Sequence, residues 1–232
     1  DMTTRRVDWG KLDDLVPENF DTYWQNTLGF LQIARSYWPQ QLAELGRIEA
    51  AVRRERLIQG EIARLATSNA PVVAAGSTGS MPVTADLLAA IAKLPHGAVV
   101  LPGLDIHLDE PSWAMIGGDD KREAHDGGIP ASAHPQFAMH RLLQHIGVRR
   151  DAVRILGAPA PHGREAFVSE AMRPAATTEQ WHGWQATHST AAPLAGVTVI
   201  EAATAEEEAL AIAVALRETA EHPHQTAALV TP

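Results

Sequence analysis

Residues 71–105, PVVAAGSTGSMPVTADLLAAIAKLPHGAVVLPGLD, decide the fold. The stretch opens with an apolar run, 71–75 (PVVAA), that reads as a buried strand. A glycine turn follows at 76–82 (GSTGSMP), and then a helix from about Val83 to Leu94 with Leu87, Leu88 and Ile91 facing inward. The PHG at 95–97 ends that helix, and 98–101 (AVVL) forms a second buried strand that closes on 102–105 (PGLD). A helix between two buried strands is a crossover, and crossovers between parallel strands are almost always right-handed. The expectation is a βαβ unit of a parallel-sheet α/β fold.

Working outward towards the N-terminus, Phe20, Trp24, Leu28, Leu31 and Trp38 recur at helical spacings, with Pro17 where a first turn tolerates proline. Trp24 and Trp38 fall on that stripe and are expected in a core. Pro39 is expected to break or kink the run, and Leu42, Leu45, Ile48, Val52, Ile58, Ile62 and Leu65 continue a second stripe. The prediction is two antiparallel helices or one kinked helix, ending in the turn-like 67–70 (TSNA).

On the other side, 105–134 is rich in Gly, Asp and Pro, including 117–122 (GGDDKR) and 126–130 (DGGIP), and reads as a long loop. A helix is predicted over 135–146, a turn and short strand over 149–157 (RRDAVRILG), and short helices over 165–172, around Pro174, and over 178–184. The chain then reads strand at 197–202 (VTVIEA), helix at 205–221 with Leu210, Val214 and Leu216 in reach of a core, and strand at 227–230. That is a second βαβ unit. The expected division is a helical segment (1–70), an α/β lobe with a long loop (71–193) and the start of a second lobe (194–232). Because 226–232 (TAALVTP) reads as a strand just reaching its loop, the sequence is read as an internal piece of a longer protein.

Composition narrows the function. The 232 residues, 45% hydrophobic, are enough to bury a real core. With 28 acidic against 19 basic residues, the formal net charge of -9 argues against a broad electrostatic grip on nucleic acid, so any DNA contact has to be local. There is no cysteine, which removes disulfides and thiolate metal sites and suits a reducing, cytoplasmic compartment. No apolar run approaches the roughly 20 residues of a membrane span.

The chemistry-bearing candidates are Gly76, Ser77, Thr78, Gly79 and Ser80, because amides at a glycine turn before a helix form an anion site. A complete phosphate loop also requires a lysine, and no lysine or arginine lies between Gly76 and Ala92. Thr78 and Ser80 stand where a nucleophile elbow requires serine and glycine, which excludes serine hydrolysis. Eleven histidines contain no H-x-x-x-H or H-E-x-x-H pair, so no metal is expected. His107, Asp109 and Glu110 read as solvating a loop start. Trp113, Trp181 and Trp184 lie in less regular segments, where burial against a loop competes with base stacking.

Residues 71–105 and 194–232 resemble the AddB family of bacterial helicase-nuclease subunits, in its alphaproteobacterial form. The resemblance implies a superfamily 1 helicase-like, P-loop NTPase-type lobe, an AddA partner, DNA as the ligand, and Mg²⁺ and ATP as cofactors of the intact complex. In active motors of that fold the first strand here ends in an acidic pair that holds Mg²⁺ and orients water. Here it ends Ala74, Ala75, Gly76, and Asp105 after the neighbouring strand is a lone carboxylate. The resemblance therefore implies a retired motor with no catalytic residue of its own, in which 76–80 and Asp105 are candidate phosphate or DNA contacts. Two other readings stand beside it. One is an α/β enzyme that binds a phosphorylated small molecule at the GSTGS turn and draws a cation from Lys93 or Arg122. The other is an architectural module that docks a protein through the stripe from Phe20 to Trp38.

Overall fold

The computed structural model describes residues 2–8, 10, 22–118 and 130–231. It is mixed α/β, mostly helical, with one small parallel sheet. Strand β1 (Val72–Ala75) pairs with β2 (Gly97–Val100) in parallel, in the register Val72 to Gly97 through Ala75 to Val100. Between them runs helix α4 (Pro82–Ala92), which packs on both strands. Its proline sits in the first turn, where no N–H is needed, and Val83, Leu88, Ala89 and Ile91 are buried. Gly97 is required where β2 begins, since a Cβ there would lie 1.8 Å from the Ile91 carbonyl oxygen. The expected βαβ unit is therefore present.

Helices α1 (Met2–Arg5) and α3 (Ala50–Leu65) pack against one another and against α4. Asp86 of α4 ties this corner together. It accepts from Arg6 Nη2 at 2.7 Å, lies 3.0 Å from His145 Nε2, and accepts from Gln59 Nε2 at 3.4 Å. Helix α2 (Thr22–Glu44) is separate from α3 and runs on through Pro39. Proline there costs one backbone bond, but residues 35–40 are exposed, so no buried packing is lost and the helix need not break. Trp38 was expected in a core and is instead 52% exposed, its indole N–H donating to Glu49 Oε1 at 2.8 Å. Pro17, Phe20 and the side chains of Trp24 and Leu28 lie outside the described residues.

The first part of the expected long loop is helical: α5 spans Glu110–Gly117. Asp109 caps it by accepting from Ser112 N, Pro111 lies in its first turn, and Gly118 ends it in the left-handed conformation at φ 82°. Asp109 thus holds a helix start rather than merely solvating a loop. The 119–129 part of that loop lies outside the described residues. Helix α6 (Phe137–Ile146) packs against α4 and α5. A core of Leu108, Trp113, Ile116 and Leu143 joins α5 to α6, with Leu101, Leu104, Phe137 and Val153 around it.

Further along, α7 (Arg164–Ala171), α8 (Gln180–Thr187) and α9 (Ala205–Glu221) form as read. The strand expected within 149–157 is a 3-10 turn at Arg150–Ala152 followed by unpaired extended chain. Neither 197–202 nor 227–230 forms a strand, so the second βαβ unit is absent. Strand-forming residues need a neighbouring strand to satisfy their backbone, and among the described residues the sheet ends at two. Leu210 and Val214, expected near a core, are exposed for the same reason: no sheet lies under α9.

Candidate functional site

The GSTGS turn sits at the carboxyl end of β1, and 102–105 at the carboxyl end of β2. Ligands of open α/β sheets bind at such ends. Gly76 (φ +81°) and Gly79 (φ +65°) adopt conformations that favour glycine. Two of the five turn amides are committed: Gly76 N donates to Val100 O at 3.1 Å, and Gly79 N to Ser77 Oγ at 3.3 Å. The turn also packs on α6, since a Cβ at Gly79 would lie 3.1 Å from both Leu142 methyl carbons. Lys93 caps the far end of α4, an 11-residue helix roughly 16 Å long, and so cannot reach the turn. Arg122 lies outside the described residues.

Asp105 is engaged by its own loop. Its Oδ1 accepts from His107 N at 2.8 Å and Leu108 N at 3.0 Å, an Asx-type turn. Gln136 clamps the loop from α6, accepting from Asp105 N at 3.0 Å and donating to Gly103 O at 2.9 Å. Arg150 donates to Asp105 O at 3.3 Å and Leu108 O at 2.7 Å, pairs with Glu110 at 2.6 Å, and lies over the Trp113 ring. The structure thus brings Asp105 into a rigid polar corner, with both amides it caps belonging to protein.

Beside this corner lies a cleft of about 660 Å³ between β2 and α7. Val99, Val100 and Leu101 form one wall, Ile155 and Leu156 another, and Val168 of α7 with Met172 just after it a third. Asp105, His107, Arg154, Arg164 and Glu165 are among its polar residues, with His107 and Glu165 3.9 Å apart. No residue of the GSTGS turn lines it. The structure therefore separates the two expected parts of the site: Asp105 faces the cleft, and 76–80 do not. Gln136, Arg150 and Arg164 are the residues that sequence reasoning missed. The HPQ at 134–136 was the one local signal, because Gln136 N donates to His134 Nδ1 at 3.1 Å while its amide side chain reaches the Asp105 loop.

A second polar cluster braces α5 against α7. Arg173 forms two bonds to the Glu170 carboxylate, at 3.0 and 2.6 Å, donates to Ser112 Oγ at 2.7 Å and pairs with Asp109. Burial acts to raise the Asp109 carboxyl, but bonds from Arg173 and Ser112 outweigh it and hold it below the usual carboxylate range. The Glu170 bonds, opposed by burial and helped by Asp109, hold the Arg173 guanidinium above its ordinary value. Ser112 and Thr177 are buried and bonded to each other, and every charge named in the cluster is paired within it, so the cluster acts as a brace.

Among the described residues, no three His, Asp or Glu side chains converge as a metal-holding group, and no helix is long and apolar enough to cross a membrane. No family model, curated protein or solved structure matches this chain.

Proposed function

We propose that this chain is a non-catalytic, helicase-like scaffold segment of a cytoplasmic DNA double-strand break repair helicase-nuclease subunit, guiding DNA and contacting an AddA partner. The observation that carries the non-catalytic half is the glycine turn. It stands in strand–turn–helix geometry, as in a nucleotide motor, yet it is packed on Leu142 and has no cation within the turn or along α4. The residues present do not fit a magnesium nucleotide. β1 ends in Ala74 and Ala75, and Asp105 is a lone carboxylate whose Oδ1 already accepts from two amides of its own loop. Mg²⁺ and ATP belong in this reading to the intact complex and not to this segment.

The partner-contact half draws support from α2. Phe30, Ile33 and Tyr37 recur at spacings of three and four on one helix face and are each more than half exposed. Apolar residues grouped on one face mark a docking surface more than scattered ones do. The phosphate-binding enzyme is the weaker reading, because the cleft and the GSTGS turn are separate and Lys93 is at the wrong end of α4.

Titration calorimetry with Mg-ATP, then with single-stranded DNA, then with purified AddA tests the proposal. The expected result is no heat with ATP and saturable binding of DNA or AddA. Stoichiometric ATP binding or turnover would overturn it in favour of a nucleotide-binding enzyme.

A further inference from the structure

The cleft and the tail next to it are complementary, and one side chain joins them. Arg164, in the cleft wall, donates from Nε to Pro193 O at 3.0 Å and from Nη2 to Ala195 O at 2.6 Å. The chain is thereby anchored at the cleft just before Gly196, which has a left-handed backbone at φ +77°. Immediately after come 197–200 (VTVI), β-branched throughout and without strand pairing. Val197 and Ile200 are exposed, and Val199 is 80% exposed. Such residues favour strands and are costly to leave in water.

The cleft offers what this segment lacks. Val99 and Val100 of β2 line it, whereas none of the paired residues of β1 does, so the cleft opens along the side of β2 away from its partner strand. Parallel sheets are normally covered and rarely stop at two strands. A four-residue strand is about 13 Å long at its usual rise, a length that fits a cleft of this size.

We infer that 197–200 is a strap that swings about Gly196 into this cleft and adds a third strand beside β2. The structure holds the open arrangement, with Arg164 as the fixed anchor. Closing buries Val197 and Val199 on one face of the new strand and Ile200 on the other, against the apolar walls formed by Ile155, Leu156 and Val168, and covers Asp105 and His107. The strap then sets whether anything else can reach the Asp105 corner. This inference does not depend on the DNA-repair reading.

Hydrogen exchange of the full chain, read at single residues, tests it. The alternate amides of 197–200 that turn towards β2 are expected to be protected on the order of 10-fold or more, which corresponds to about nine molecules in ten being closed. Val199→Asp, at a position too exposed to affect folding in the open arrangement, is expected to abolish that protection and to speed exchange at 99–101. Exchange of 198–200 at the rate of an unstructured peptide would overturn the inference. Protection that survives Val199→Asp would overturn it as well, and protection that rises with protein concentration would assign the strand to a second copy instead.

Discussion

The Arg150 guanidinium lies 4.6 Å from the centre of the Trp113 ring, and from that position it holds the loop between β2 and α5. Only 8% of its side chain is exposed, and its donors reach two loop carbonyls and Glu110. Arg150→Ala removes the cation–π contact and leaves those carbonyls without their donor. Urea denaturation should show a loss of about 2 kcal/mol, from the lost cation–π contact and the loop carbonyls left without their donor, with little from Glu110, whose side chain is 69% exposed. Arg150→Lys should recover less than half, since an ammonium cannot both stack on the indole and span separated acceptors.

The glycine turn separates two costs. Gly76 and Gly79 both have positive φ, so alanine at either should cost about 1–2 kcal/mol of backbone strain. A Cβ at Gly76 meets nothing within 4 Å, while one at Gly79 meets Leu142 at 3.1 Å. Gly79→Ala should therefore be the more destabilising by about 1–3 kcal/mol of overpacking, and Leu142→Ala should relieve that excess. Equal losses at the two glycines would indicate that the turn does not pack on α6 as described.

Local signals carried much of this fold and failed wherever the deciding contact is distant. The βαβ unit was legible because its apolar runs, glycine turn and helix lie within 71–105. Helix α9 was legible from the spacing of Leu210, Val214 and Leu216, and the structure adds a cap at Thr204, whose hydroxyl accepts from Glu207 N at 3.2 Å. Helix α5 was hidden by the surrounding Gly, Asp and Pro, although Asp109, Pro111 and Gly118 are ordinary start and stop signals. The sequences at 197–202 and 227–230 have strand character, but pairing depends on a neighbour that no local pattern reports. The site was half legible for the same reason. Asp105 could be read from its place after β2, while its partners Gln136 and Arg150 lie 31 and 45 residues away.

Asp109 should make stability sensitive to acid. Its carboxyl is held below the usual carboxylate range, burial being outweighed by bonds from Arg173 and Ser112. A depressed folded value means that the contribution is fully present above the ordinary value of about 3.9 and is lost as pH falls through the lower folded value. Asp109→Asn should lower stability at neutral pH and flatten its decline below about pH 4. Denaturation midpoints collected from pH 7 down to pH 3 check the sign. An unchanged slope would show that other carboxylates dominate the acid response.

The stripe on α2 predicts a separation of stability from binding. Ile33 is 65% exposed, and α2 makes no extensive packing with another described element. Ile33→Glu should therefore leave the urea midpoint almost unchanged, within about 0.5 kcal/mol, as surface substitutions usually do. If the face docks AddA, the same change places a charge in an apolar interface core and should weaken that complex by about 2 kcal/mol or more, roughly 30-fold in affinity. Phe30→Ala should weaken it as well, by removing contact area without adding charge. Calorimetry on both variants, with denaturation as the control, distinguishes the cases. Lost stability would assign the stripe to packing inside this chain, whereas unchanged affinity would move the partner contact away from α2.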